Sequence, residues 1–188
     1  YRELRELAYM GATVLHDEAI FPVREAGIPI NIKNTNRPED PGTFIISKAE
    51  SAVPAGNITG IAGRKGFTVI HIEKNMMNSE LGFGRRILSV LEENNISFEH
   101  LPSGIDTISI VVADCQLEHK LERVLEGIRH RCKPDCIDVH PNMALIATVG
   151  QGMVHIPGIA ARLFTALAKE GINVRMIDQG SSELNIIV

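Results

Sequence analysis

The amino-acid sequence predicts an α+β protein built around an internal repeat. When the sequence is shifted by 76 positions, residues 67–112 align with residues 143–188 without a gap. Nine of the 46 aligned pairs are identical, among them Gly82 with Gly158 and Arg86 with Arg162. In each copy, short β-branched runs alternate with stretches whose apolar residues follow helical spacing. The chain is therefore expected to contain two similar units of mixed helix and strand.

Each copy is predicted to run strand, loop, helix, strand, turn, strand. The helices are expected at residues 83–91 and 159–167, where apolar side chains recur on one face. Asn95 and Gly171 are expected to end these helices, because both residue types tolerate the left-handed conformation. The strands are expected at residues 67–72, 96–101 and 107–112 of the first copy and at 143–148, 172–177 and 183–188 of the second.

The two units are predicted to be nested. After the first copy, an apolar stripe from Leu117 to Ile128 predicts another helix, and residues 136–139 predict a strand. This completes a βαββαβ unit of the ferredoxin-like kind. The second copy lacks its own last helix and strand, but the same shift places residues 60–63 opposite 136–139. Residues 57–62 are therefore predicted to supply the second unit's missing edge strand, with the first unit inserted in the second.

Before residue 57 the pattern changes to alternating helix and strand, which is typical of the tail of an α/β domain. Apolar spacing predicts helices near residues 4–11 and 19–26, the second with a kink or start at Pro22. Strands are predicted at residues 28–32 and 43–47. The expected divisions are 1–47 for this tail, 48–56 for a linker, 67–140 for the first repeat unit, and 57–66 with 141–188 for the second, truncated unit.

Composition excludes several classes of protein. The net charge of −4, the 4% aromatic content and the absence of Trp argue against nucleic-acid binding. No fixed charge lies between Asp138 and Arg162, but Pro and Gly residues interrupt that stretch, so no membrane span is predicted. Three Cys residues fit a reducing cytoplasm. The chain begins with Tyr rather than Met and shows no signal-peptide pattern, so it is expected to be a fragment of a cytoplasmic protein.

The order of these segments resembles one enzyme family. Residues 3–16 and 28–35, followed by Gly42-Thr43, resemble the end of the catalytic domain of aspartate kinases, and the repeat resembles the tandem ACT domains that follow it there. The resemblance implies a parent enzyme that transfers a phosphoryl group from ATP, with Mg²⁺, to the side chain of aspartate. It also implies a homodimer through the ACT units. The phosphate loop and aspartate-binding residues of such kinases would lie upstream of Tyr1, so no catalytic residue and no bound cofactor are expected in this fragment, which should be inactive alone.

The resemblance assigns two kinds of site. Lys33 and Asn34 match the family's nucleotide-contacting position. The loop at residues 74–84 and the strand and turn after the following helix match the family's amino-acid effector site. The residues expected to bind the effector are Met77, Ser79, Gly82, Phe83, Gly84, Ser97, Phe98, Glu99 and Asp106.

The charge pattern favours a cationic effector at the first repeat. Glu80, Glu99 and Asp106 correspond to Ile156, Arg175 and Ser182 in the second repeat. Only the first unit keeps acids for an ammonium group, so L-lysine is expected to bind there, with its carboxylate at the helix start between Gly82 and Gly84. L-Threonine stays open as the alternative effector.

The sequence allows two other interpretations. His130, Cys132, Cys136 and His140 are four possible zinc ligands, but their spacing is not that of a standard zinc site. Cys132 and Cys136 are instead expected at the ends of a helix-to-strand connection, and Cys115 in the core, so no metal site is predicted. A stand-alone ACT-type amino-acid sensor without catalytic activity is the alternative function.

Overall fold

The computed structural model describes residues 1–12, 15–46, 58–150, 152–153, 156–179 and 185–188. The chain divides into two compact units. The outer unit comprises Tyr1–Arg64 and Ile146–Val188, and the inserted unit comprises Lys65–Leu145. Helices and antiparallel strands are mixed in both, which confirms the predicted α+β class.

The inserted unit packs helices on one face of an antiparallel sheet. Its strands are the later part of β3 (Gly60–Glu73), β4 (Thr107–Ala113) and the earlier part of β5 (Cys136–Val149), in the order β4-β3-β5. Its helices are α3 (Phe83–Glu93), α4 (Asp114–Leu117) and α5 (Leu121–Cys132), with a 3-10 turn at Met77–Ser79. In β3, Ile70 and Ile72 point toward the helices, and the core there includes Ile87, Val124 and Ile128.

Particular residues set the two ends of α3 and its close approach to α5. Gly82 begins α3 with φ of 75°, and Asn95 follows its end with φ of 52°, as the sequence predicts for residues that tolerate positive φ. Gly127 lets α5 approach α3, because a Cβ there would lie 2.9 Å from Cγ1 of Val90. The start of α3 is therefore fixed at the end of the loop that follows β3.

The outer unit combines the N-terminal segment with the second repeat. Its N-terminal elements are α1 (Arg2–Tyr9), a 3-10 turn (Asp17–Ala19), α2 (Ile20–Glu25), and the antiparallel pair β1 (Ile30–Ile32) and β2 (Thr43–Ile45). The second repeat contributes the later part of β5, α6 (Ile159–Lys169) and β6 (Asn185–Ile187), which pairs antiparallel with β5. Ile58 packs against Met153, Ile159 and Leu163 in this core, and the Thr59 N–H donates to the Val149 carbonyl at 2.7 Å. This is the pairing that the nested arrangement expects, although residue 57 lies outside the described residues.

Four predicted elements differ from the structure. Residues 96–101 form only an isolated bridge between His100 and Val111, because Ser97 N–H donates to the Gln116 side chain and Pro102 has no N–H to extend the ladder. The helix predicted from 117 to 128 is divided, since His119 has φ of 60°. The strands predicted at 136–139 and 143–148 are one strand, in which Asn142, with φ of 60°, absorbs the irregularity at Pro141.

Other predicted elements are shorter or not described. Residues 172–177 are irregular, with an isolated bridge only at Asp178. Residues 47–57 and 180–184, which include parts of the strands predicted at 43–47, 57–62 and 183–188, lie outside the described residues. In the part of the chain that is described, no helix has both the length and the apolar character needed to span a membrane.

Candidate functional site

The loop after β3 is joined to the turn before β4. The Lys74 N–H donates to the Asp106 carbonyl at 2.8 Å, and the Asn78 N–H donates to the Ile105 carbonyl at 3.1 Å. Because Glu73 pairs with Thr107 at the adjoining ends of β3 and β4, loop and turn form one surface at one end of the sheet. Asp106 is exposed on this surface. Its carboxylate is therefore available to a ligand that approaches the loop.

Glu80 is already held by two cations of its own unit. Its carboxylate contacts the guanidinium of Arg86 through Nη2, and the Lys74 ammonium lies 3.6 Å from its other oxygen. Nη1 of Arg86 also donates to the Leu81 carbonyl at 3.2 Å. The Arg86 side chain is 25% exposed and lies 5.7 Å from the centre of the Phe83 ring. The charge of Glu80 is consequently compensated by two cations of its own unit, and Glu80 holds the loop rather than offering charge to an effector.

A second set of contacts ties the loop to the connection between α5 and β5. The Lys74 ammonium donates to the Lys133 carbonyl at 3.0 Å, and the Asn75 N–H donates to a carboxylate oxygen of Asp135 at 2.7 Å. The Asp135 N–H in turn donates to the Glu73 carbonyl at 2.8 Å. The loop is thus held on two sides before any ligand binds. Lys74 lies in the predicted loop but was not named as a binding residue, and Arg86 and Asp135 were not predicted; Arg86 carried a signal in its identity with Arg162 in the repeat.

The predicted loop residues divide into core and surface. Met77 and Phe83 are buried in the core of the inserted unit, so their side chains support the loop and do not line an open site. Ser79 is exposed and its hydroxyl contacts the Asn78 side chain at 3.3 Å. Gly82 and Gly84 lie at the start of α3, where the first N–H groups of a helix have no acceptor within the helix. A carboxylate fits such a helix start because the helix dipole favours negative charge there.

The strand residues Ser97, Phe98 and Glu99 lie at the opposite end of β4 from this loop. The Glu99 N–H donates to the Val111 carbonyl, and Ser97 is bonded to Gln116, which follows β4. Four residues of strand between Thr107 and Val111 span about 13 Å. Covalent bond lengths limit a fully extended lysine molecule to about 8 Å from its carboxylate to its ε-ammonium group. Within one chain, Asp106 and the loop therefore form one group and residues 97–99 form another, and their shared role toward an effector stays a prediction.

Lys33 and Asn34 follow β1 in an exposed turn. The Lys33 ammonium donates to the Pro38 carbonyl at 2.6 Å, and the Asn34 side-chain oxygen accepts from the Asn36 N–H at 3.0 Å. Both contacts close the connection between β1 and β2, so the two residues define the shape of this turn. Their role toward a nucleotide stays a prediction.

Gly42 controls the return of the chain into β2. It has φ of 74°, and a Cβ there would lie 2.5 Å from the Ile32 carbonyl oxygen. We expect Gly42→Ala to lower the free energy of unfolding of the outer unit by about 1–3 kcal/mol, because both strain and a backbone clash are added. Gly27→Ala is the matched control, since Gly27 has φ of 67° but no atom within 4 Å of its Cβ position. Denaturant titration followed by circular dichroism compares the two, and equal losses would contradict the clash.

The cysteine and histidine residues that raised the zinc alternative are spread over the end of α5 and the start of β5. Cys132 is buried at the end of α5 and Cys136 is exposed at the start of β5, as expected for the two ends of a connection. Within the described ranges, no group of three or more His, Cys, Asp or Glu side chains is arranged to hold a metal ion. The prediction that Cys115 lies in the core is wrong, because it is exposed in the short helix α4.

The three thiols are expected to react with Ellman's reagent in a fixed order. Burial raises the pKa of Cys132, with partial compensation from Arg86, so its thiolate fraction is low at neutral pH. The Asp138 carboxylate raises the pKa of Cys136, with smaller contributions from burial and Glu73. We expect Cys115 to react first, Cys136 more slowly, and Cys132 only on unfolding. A Cys115→Ser, Cys136→Ser variant should show no native reaction; rapid modification of that variant would contradict the burial of Cys132.

A groove of about 310 Å³ lies elsewhere in the inserted unit, between α3 and α5. It is lined by Val90, Glu93, Asn94, Arg123, Glu126, Gly127, His130 and Arg131. None of these belongs to the loop, the turn or the strand predicted to bind an effector. Glu93 and Arg131 pair across it, with Nη1–Oε1 at 2.7 Å, and this contact lowers the pKa of Glu93. The ion pair thus links α3 and α5 across the groove, and the groove is not part of the candidate effector site.

Known proteins resemble this chain along its whole length. A family model described as the ACT domain matches residues 146–188. The chain is 45% identical over all 188 residues to aspartokinase 3 of Bacillus subtilis and spans 41% of that protein. It matches the crystal structure of Clostridium acetobutylicum aspartate kinase, described as an allosteric enzyme, with 62% identity and a TM-score of 0.91, covering 100% of this chain and 43% of that one.

A more distant structure shares the fold. Escherichia coli aspartokinase III, solved in complex with lysine and aspartate, is 24% identical, with a TM-score of 0.72 over 98% of this chain and 40% of that one. The chain spans less than half the length of each of these three proteins. The chain is thus similar over its whole length to part of an aspartokinase, and its residues 146–188 match the ACT domain.

Proposed function

We propose that this chain is the regulatory region, with the end of the catalytic domain, of an aspartate kinase that forms 4-phospho-L-aspartate from ATP and L-aspartate. The observation that carries the proposal is the 62% identity to an aspartate kinase over 100% of the chain. ATP, with Mg²⁺, is substrate of the parent enzyme, and Lys33 and Asn34 contact the nucleotide at the end of β1. The catalytic tail is residues 1–47, the linker 48–56, and the two ACT units follow with the nested boundaries given above. The enzyme is proposed to act in the cytoplasm, in biosynthesis of amino acids including lysine.

The loop at residues 74–84 is proposed to bind an end-product amino acid, L-lysine rather than L-threonine. With Glu80 occupied by Lys74 and Arg86, the exposed Asp106 beside the loop is the acid left for an ammonium group. The start of α3 at Gly82 and Gly84 receives the carboxylate. Threonine has no second ammonium group and gains nothing from that acid. Charge therefore favours lysine.

The effector site is proposed to be shared by two copies of the chain. Residues 96–101 lie outside β4, which makes them the outermost segment on that side of the inserted unit's sheet. In a twofold dimer, antiparallel pairing of these segments places residues 97–99 of one copy beside residues 101–106 of the other. Ser97, Phe98 and Glu99 from one copy then complete the loop and Asp106 of its partner. The separation of the two groups within one chain supports this arrangement.

The proposal is tested with the full-length protein and with this chain alone. We expect the full-length protein to form aspartyl phosphate from MgATP and aspartate, and lysine to inhibit it more strongly than threonine. The chain alone should bind lysine in calorimetry and form no aspartyl phosphate. A full-length protein without kinase activity that still binds lysine would instead identify a sensor. Kinase activity without lysine binding would remove the effector assignment.

A further inference from the structure

One face of α1 lies against the strands of the second repeat inside the outer unit. Three residues share this face of α1: Glu3, Glu6 and Leu7. Met10 continues the same spacing directly after the end of the helix. Met10 is buried, and Leu7 lies over Gly60, where a Cβ would be 2.9 Å from its Cδ1 atom. A Cβ on Gly11 would lie 3.2 Å from the Gly63 carbonyl oxygen. The chain around α1 and the start of β3 thus approach each other closely, and glycines on both segments make room for this contact.

Two side-chain hydrogen bonds fix the orientation of this helix. Nδ2 of Asn185, on β6, donates to the Glu6 carboxylate at 2.8 Å, and Oγ1 of Thr59 donates to the Glu3 carboxylate at 2.5 Å. Asn185 is only 7% exposed, so loss of this bond leaves a buried amide unsatisfied. The contact is therefore specific as well as close. We call the set of Glu3, Glu6, Leu7, Thr59, Gly60 and Asn185 the α1 seat.

We propose that the α1 seat is the contact through which the regulatory units control the catalytic part of the parent enzyme, so that the second repeat positions α1 and does not bind effector. The inference rests on the proposed function, in which α1 belongs to the catalytic tail. β3 starts at the seat with Gly60 and ends with Glu73, directly before the effector loop. β3 is continuous from the loop to Gly60, so a shift of the loop is carried along one strand to the residue on which Leu7 of α1 packs. Glu6 and Asn185 are positioning residues in this scheme.

The test exchanges donor and acceptor at the seat in the full-length enzyme. Asn185→Asp places a second carboxylate against Glu6, whereas the double variant Glu6→Gln, Asn185→Asp restores one amide facing one carboxylate. We expect Asn185→Asp to reduce the coupling between lysine binding and inhibition by about fivefold or more. Calorimetry should still detect lysine binding, activity without lysine should stay within about twofold, and the double variant should regain inhibition. Glu170→Gln, a charge change at the exposed end of α6, serves as control.

The outcomes separate this inference from the proposed function. If the wild-type enzyme is an active kinase that lysine does not inhibit, the effector assignment within the proposed function fails. If wild type is inhibited and folded Asn185→Asp is inhibited equally, or if the double variant does not recover, the α1 seat is not the control contact. Thr59→Val removes the hydrogen bond to Glu3 without adding charge. It replaces Asn185→Asp as the test variant if Asn185→Asp does not fold, and we expect it to weaken inhibition by lysine to a smaller extent.

Discussion

Arg86→Ala is expected to lower the affinity of the chain for lysine at least about tenfold and the free energy of unfolding of the inserted unit by about 1–3 kcal/mol. The variant removes the bonds to Glu80 and to the Leu81 carbonyl, and it leaves the partly buried carboxylate with Lys74 alone. The loop then has to be ordered when lysine binds, which costs affinity. Calorimetry measures the first quantity and denaturant titration the second.

The repeat supplies a matched control for this prediction. Arg162 occupies the equivalent position on α6, but Ile156 stands where the first unit has Glu80. Arg162 is exposed, and the described residues place no carboxylate within ion-pair distance of it. We expect Arg162→Ala to leave lysine affinity unchanged and stability within about 0.5 kcal/mol of wild type. Equal effects of the two substitutions would mean that the ion pair with Glu80 does not organise the loop.

Asp106→Asn is expected to weaken lysine binding by about 1.5–3 kcal/mol, which is roughly 10- to 150-fold. The substitution keeps the size of the side chain and removes the charge that faces the lysine ε-ammonium. The loop should stay intact, because it is the backbone carbonyl of Asp106 that accepts from Lys74. Threonine binding should respond less. Calorimetric titration of wild type and variant with both amino acids measures the difference.

Two controls bracket this result. Glu122→Gln removes one exposed negative charge from α5 of the same unit and should leave lysine affinity unchanged. Arg175, which stands opposite Glu99 in the repeat, should be equally indifferent to replacement by Gln. Equal losses for lysine and threonine in Asp106→Asn would remove Asp106 from the ammonium site. A wild-type preference for threonine would overturn the choice of effector and leave the fold untouched.

The helices and paired strands were accessible from sequence because each is set by a local pattern. Apolar spacing located α3 and α6, and residues that accept positive φ marked their ends at Asn95 and Gly171. The nested pairing of Ile58 and Thr59 with the second repeat followed from the 76-residue shift. In contrast, the break at His119 and the continuity of β5 through Pro141 depend on single φ values that no periodicity reveals.

The candidate site was less accessible because it depends on distances between segments. Glu80 and Asp106 look equivalent as acids in the sequence, yet only Glu80 has Arg86 and Lys74 within ion-pair distance. The family resemblance grouped residues 97–99 with the loop, but the register of β4 places them at its far end. Met77 and Phe83 were placed at a site by position, and packing puts their side chains in the core. Tertiary register, not residue type, decides these cases.

Mixing two defective chains shows whether lysine binds between the loop of one copy and residues 97–99 of another. Asp106→Asn and Glu99→Gln are each expected to weaken lysine binding. In a co-expressed equimolar mixture, half of the dimers are mixed, and each mixed dimer has one intact and one doubly defective site. We expect calorimetry to find about one quarter of the sites at wild-type affinity. Absence of any such sites, with both variants folded and dimeric, would instead show that the site lies within a single chain.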